Sequence, residues 1–208
     1  MSEKDGAEKL GLLRRIWRFF WSPSGYFALG VLLIAGFIAG IVFWGGFHTA
    51  LELTNREEFC IGCHEMKDNV FVEYSGSPHD SNPAGVKATC PDCHVPKEWG
   101  PKIIRKIQAS KELYGHFISK SIWTEEKFQE RRIELAKHEW ARMKSTDSRE
   151  CRNCHDFETM DFSRQENRAA ANHQIALDEG KTCIDCHQGI AHKLPKGYLE
   201  AYRDVVKE

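Results

Sequence analysis

Four cysteine pairs, each followed at once by histidine, carry the most reactive side chains of the chain: Cys60/Cys63/His64, Cys90/Cys93/His94, Cys151/Cys154/His155 and Cys183/Cys186/His187. They use all 8 cysteines of its 208 residues. Two thiols at this spacing could close a disulfide or supply half of a zinc site. Neither chemistry asks for histidine directly after the second thiol. With 10 histidines in 208 positions, four such coincidences have a chance probability on the order of 10⁻⁵. In a haem attachment site the thiols add to two vinyl groups and the histidine binds the iron, which accounts for both spacing and order. Four covalently bound haem c groups are therefore expected. Their assembly needs thiols reduced in a space where thiols otherwise oxidise, which points to a bacterial periplasm. The formal charge of −1 gives no basic signal for nucleic acid.

A haem that only transfers electrons takes a second axial ligand. His94, His155 and His187 are the expected proximal ligands of their own haems. His79 stands 11 residues before Cys90 and His173 stands 10 before Cys183, and these matching places suggest a shared distal role. His192, five residues after His187, can reach a neighbouring haem but hardly the opposite face of its own. His48 and His138 read as solvated bystanders, and His116 is open between ligand and bystander. The first motif, FCIGCHEMK, adds a thioether, Met66, two residues beyond His64. At about 3.3–3.6 Å per residue, two residues do not carry a side chain around a porphyrin edge. Met66 therefore either replaces His64 on the same face, leaving the other face open, or binds no metal and packs.

These residues need elements to hold them. No Asp, Glu, Lys or Arg occurs from Phe19 to Leu51, and the 22 mostly apolar residues Gly25 to Gly46 are long enough to span a bilayer. Lys4, Lys9, Arg14, Arg15 and Arg18 precede them, which puts the N-terminus in the cytoplasm and the rest outside. An uncleaved inner-membrane anchor is expected, with Gly36 and Gly40 as a candidate packing face. Beyond it, paired motifs start 30 and 32 residues apart, which reads as a duplicated di-haem unit. A helix over Thr124 to Ser145 shows an apolar stripe of Phe128, Ile133, Ala136, Trp140 and Met143, expected to pack on porphyrin. Further helices are expected from about Lys102 to Ser119 and around Ser163 to Glu179.

The fold class is thus mainly α with extensive irregular loops: one transmembrane helix and a multihaem cytochrome c domain of two di-haem units. The expected parts are a cytoplasmic segment (1–18), the anchor (19–48), a first di-haem unit with a quinol site (49–120), a spacer helix (121–146) and a second di-haem unit (147–208).

The anchor, the four motifs and the strings CIGCHEMKDN, CPDCHVP, KIQASKELYGH, RMKSTDSRECRNCH and CIDCHQGIAHKLP together resemble the NapC/NirT family of membrane-anchored tetrahaem quinol dehydrogenases. The resemblance implies oxidation of menaquinol or ubiquinol at the membrane and delivery of electrons to a periplasmic reductase. The expected acceptor is a nitrate reductase catalytic subunit with its small cytochrome subunit. A nitrite or other periplasmic reductase is the alternative acceptor, and direct nitrogen-oxide reduction the alternative activity. It also implies Met66 on the first iron in place of His64, and a quinol site at Lys106 and Glu112. Six residues apart on a straight helix, that pair does not share a face, so Lys102, Arg105 and Lys111 are alternatives. Some family sequences carry histidine where this chain has Lys97, which leaves His116 or Lys97 for the distal place on the second haem.

Overall fold

The computed structural model describes residues 11–18 and 21–207. Lys4, Lys9 and Phe19, parts of the expected basic flank and apolar stretch, lie outside them. The chain forms two compact units, Met1–Leu51 and Glu52–Glu208.

In the first unit, residues 11–18 are helical and carry Arg14, Arg15 and Arg18. After the Ser22-Pro23-Ser24 break comes α1 (Leu29–Leu53), 25 residues long, or about 37 Å at 1.5 Å per residue. The Ser24 hydroxyl accepts hydrogen bonds from the Tyr26 and Phe27 amides at 3.4 and 3.0 Å, so the helix starts four residues later than the apolar run. It is apolar all round, none of its side chains is buried, and its length and composition suit a membrane span. Gly36 and Gly40 face open space.

The second unit strings short helices between loops, and no strand occurs among the described residues. In order come α2 (Glu57–Cys60), a π-helical turn (Met66–Phe71), α3 (Val72–Tyr74), α4 (Cys90–His94), α5 (Trp99–Phe117), α6 (Glu125–Ser145), α7 (Arg149–Arg152), α8 (Asn167–Asp178) and α9 (Tyr198–Lys207). Tight 3₁₀ turns occupy Phe162–Arg164 and Cys183–Asp185. Helix α6 starts where the Thr124 hydroxyl accepts from the Lys127 amide, a side-chain cap on a first turn that also carries Glu125 and Glu126.

The apolar stripe of α6 does not wait for a porphyrin. Trp140 and Met143 are buried against Ile184, Ala201 and Val205, with Ile133, Ala136, Tyr198 and Tyr202 packed around them. The partner is α9, a helix missed in the sequence although Tyr198, Ala201, Tyr202 and Val205 recur at helical spacing. Replacing Trp140 with alanine is expected to cost about 3–5 kcal/mol, read as a lower midpoint in denaturant unfolding of the haem-loaded protein.

Outside this cluster the interior is sparse. Only eight apolar side chains are buried among the described residues, and Glu65, Ser148 and Glu150 are buried with them. A domain of this size with so little buried apolar surface needs another filler.

Candidate haem centres

Each motif sits on a short helical turn, and two of the turns are built alike. In TCPDCH, Asp92 accepts from the Thr89 amide at 2.8 Å and its hydroxyl at 2.6 Å. In TCIDCH, Asp185 accepts from the Thr182 amide at 2.7 Å and its hydroxyl at 2.9 Å. These capping boxes hold the loop-to-turn entry that presents the first thiol of the second and fourth motifs. The repeated T-C-x-D-C-H string was there to be read. A second likeness joins the motifs in pairs. The thiols of Cys60 and Cys90 share a hydrogen bond, as do those of Cys151 and Cys183. That bond holds Cys60 down to about 7 and Cys183 to about 6, while pushing their partners up.

The second thiols of the third and fourth motifs, Cys154 and Cys186, depart from the other six. Both are exposed, whereas Cys60, Cys63, Cys90, Cys93, Cys151 and Cys183 are partly covered. Exposure does not remove them from the donor set, since a thiol must be accessible to react.

The histidines fall into facing pairs. Ring centroids are 6.2 Å apart for His79 and His155, 6.3 Å for His94 and His192, and 6.1 Å for His173 and His187. Two imidazoles on one iron, each nitrogen about 2 Å from the metal, put ring centroids about 6 Å apart. His79 and His192 each keep a buried Nδ1 with no hydrogen-bond partner. All eight thiols are unpaired by disulfides, and a cleft of about 760 Å³ opens between Phe59 and Thr89, the residues before Cys60 and Cys90. The donor set, the ring spacing and the free thiols fit four haem c groups.

Outer contacts hold several of these rings. His94 Nδ1 is 2.9 Å from Glu139 Oε1, which also accepts from Arg142 at 2.6 Å. Arg142 continues to buried Glu150 at 3.0 Å. Burial pushes the His94 imidazole down, but Glu139 beside it outweighs burial and the shift is upward. With Nδ1–H given to a carboxylate, Nε2 is the nitrogen left for a metal. His173 Nδ1 is likewise 2.7 Å from Gln165 Oε1. Burial and the facing His94 push His192 down to about 4, so it is neutral and able to ligate.

The pairing crosses the two halves of the sequence. His79 faces the third motif and His192 the second, whereas His173 stays with the fourth. His192 is what the structure brings to His94, rather than His116 or Lys97. Lys97 instead lines a small cleft with Glu52, Pro91 and Lys102. His48 packs on Trp44, and His138 is exposed.

The first motif is different. His64 is half exposed and contacts Trp123 and His116, with ring centroids 5.0 and 5.7 Å away. Buried Glu65 lies beside that gap, its Oε1 2.7 Å from His116 Nδ1 and 3.7 Å from His64 Nε2. Met66 is partly buried and opens the π-helical turn, a distortion frequent at functional sites. Nearby, Lys106 donates to the carbonyl and hydroxyl oxygens of Thr54, both at 2.9 Å. Burial pushes Lys106 below its ordinary range. Glu112 pairs not with Lys106 but with Arg105, at 2.9 Å. Seven residues make two helical turns and six do not, so Arg105 shares the face of Glu112.

A helical chain with four haem attachment motifs and a second imidazole about 6 Å from each motif histidine is a multihaem c-type cytochrome, built to carry electrons. A model of the NapC/NirT cytochrome c family, N-terminal region, matches residues 22–197. The chain belongs to that family. It is 53% identical to "Denitrification system component NirT" of Stutzerimonas stutzeri over 209 residues, covering 98% of this chain and 100% of that one. It is 56% identical to "Cytochrome c-type protein NapC" of Escherichia coli K12 over 187 residues, covering 90% and 92%. With "Cytochrome c-type protein TorC" of the same organism it shares 41% identity over 183 residues, which is 88% of this chain and 47% of that one. No solved structure matches the chain. The apolar helix and the membership together fit a single-pass membrane protein that transfers electrons.

Proposed function

We propose that the chain is an inner-membrane quinol dehydrogenase. It oxidises menaquinol or ubiquinol on the periplasmic side and passes the electrons to a periplasmic reductase. The single observation behind this is the first motif: the imidazole facing His64, that of His116 with ring centroids 5.7 Å away, is held at Nδ1 by buried Glu65, which also lies 3.7 Å from His64 Nε2, and Met66 follows two residues on. Haem c with two strong axial ligands exchanges single electrons and binds nothing else. A motif that offers a carboxylate and a thioether besides its imidazoles, and whose first thiol comes seven residues after α1 ends, suits a donor arriving from lipid.

In this reading Met66 holds the first iron in place of His64. Lys106 orients a quinol oxygen, and Glu112, steadied by Arg105, receives a released proton. His94 with His192, His155 with His79 and His187 with His173 hold the other three irons. The reductase is assigned to nitrate respiration on the likeness to the proteins named NapC, and the likeness to NirT supports a nitrite-reducing partner as the second reading. Direct nitrogen-oxide reduction is disfavoured, because three of the four motif histidines already face a second ligand.

Quinol added to the purified protein in detergent is expected to reduce the haems with no partner present, and nitrite alone is expected not to reoxidise them catalytically. The opposite pair of results sinks the proposal. Met66→Leu is expected to alter the spectrum of one haem and slow quinol oxidation about tenfold or more. Four unchanged haems would return Met66 to mere packing.

A further inference from the structure

Helix α5 has its amphipathicity inside out. At about 100° per residue, Ile104, Ile107, Leu113, Tyr114 and Phe117 fall within one half of the helix surface, which Ser110 and Lys111 share. They are exposed, by 58% at Ile104, 66% at Ile107, 59% at Tyr114 and 63% at Phe117. On the other side the polar groups turn inward: the side chains of Lys102, Arg105 and His116 are only 18%, 16% and 12% exposed. A soluble surface helix does the reverse.

Haem is not what covers this stripe. His116 contacts Glu65 and His64. The imidazole of the first motif therefore lies on the polar side of α5, away from the apolar one.

Two observations say what does cover it. Lys102 bonds Glu52 and Lys106 bonds Thr54, both at 2.9 Å, so α5 is fastened to the segment where the apolar helix α1 ends. Residues 97–120 also hold six basic and two acidic side chains, in a chain whose formal charge is −1. Exposed Lys97, Lys111 and Lys120 are among them. An apolar stripe with an interfacial tyrosine and basic flanks matches a helix lying in the headgroup layer of an anionic bilayer.

We propose that α5 is a second membrane contact, lying in the plane of an anionic bilayer surface with Ile104, Ile107, Tyr114 and Phe117 in the acyl boundary. The contact stands whatever molecule donates the electrons. It adds a lipid-embedded surface to the span formed by α1.

Photo-crosslinking of the full-length, haem-loaded protein in nanodiscs tests this, with a diazirine on the lipid acyl chain and phosphatidylglycerol mixed into phosphatidylcholine. Lipid adducts are expected on peptides from α5 as well as on those from α1. In I107E/F117E the α5 adducts should fall about tenfold, with α1 adducts and the four-haem absorbance unchanged. Adducts confined to α1 in the unmutated protein overturn the proposal. So do crosslinks from α5 to a second protein copy in place of lipid. Equal α5 yields in neutral and anionic discs overturn the anionic preference.

Discussion

Placing His79→Ala on top of His155→Met is expected to change one haem, not two. Methionine in place of the motif histidine leaves the two thioether bonds and gives that haem a histidine/methionine spectrum and a raised potential. If His79 is the other ligand of the same iron, its removal turns that same signal high-spin. The loss should be about a third of the low-spin intensity, one of the three histidine-paired haems. His79→Ala with His94→Met should instead disturb two signals, since those residues face different partners. His192→Ala with His94→Met should again disturb only one. The logic is that of a double-mutant cycle: residues that act on one centre are not additive. Electron paramagnetic resonance with a redox titration reads the count. A second signal lost in the His79/His155 combination would break the pairing, and with it the idea that the halves exchange ligands.

That exchange marks the limit of what the sequence shows. The attachment sites were legible because covalent chemistry with haem fixes a local spacing. So were α1, from uninterrupted apolar length, and α6, from its apolar period and Thr124 cap. The partner of His155 was not, because it comes from a loop 76 residues earlier, and only the packing of separate turns brings the two rings together. The matching positions of His79 and His173 point to equal roles, yet the first reaches across to the other half and the second does not. Glu65 and His116, 51 residues apart, meet for the same tertiary reason. The exposure of Cys154 and Cys186 was equally hidden, since an identical spacing says nothing of what covers each thiol. Other features were readable. The i, i+7 spacing of Arg105 and Glu112 already favoured that pair over Lys106 and Glu112, and the period of α9 explained where the stripe of α6 would go.

The crossed ligand His192 depends on a clamp beside it, and breaking that clamp is expected to release it. Arg132, on α6, grips both carboxylate oxygens of Glu73 at 2.8 and 2.5 Å. Glu73 also accepts from the Lys193 amide at 2.9 Å, and Arg132 donates to the Lys193 carbonyl at 2.7 Å. Three chain segments thus meet at the residue after His192. Both side chains are about nine-tenths buried, with 11% exposure each, so removing either leaves the other charge buried without its partner. Arg132→Ala and Glu73→Ala are each expected to cost about 3–5 kcal/mol. The loss should fall first on the haem that His94 and His192 hold, which turns partly high-spin while the other two histidine-paired haems stay low-spin. Burial pushes the Glu73 carboxyl up, but Arg132 and the Lys193 amide outweigh it and hold it below the ordinary range. A carboxyl lowered on folding stabilises the protein above its unfolded value of about 4.3, and that stability drains away as pH falls through the folded value. Acid should therefore loosen the clamp in the unmutated protein and do nothing further to it in Glu73→Gln. The same spectral change in all haems at once would mean general unfolding, and His192 would then owe its place to something other than this ion pair.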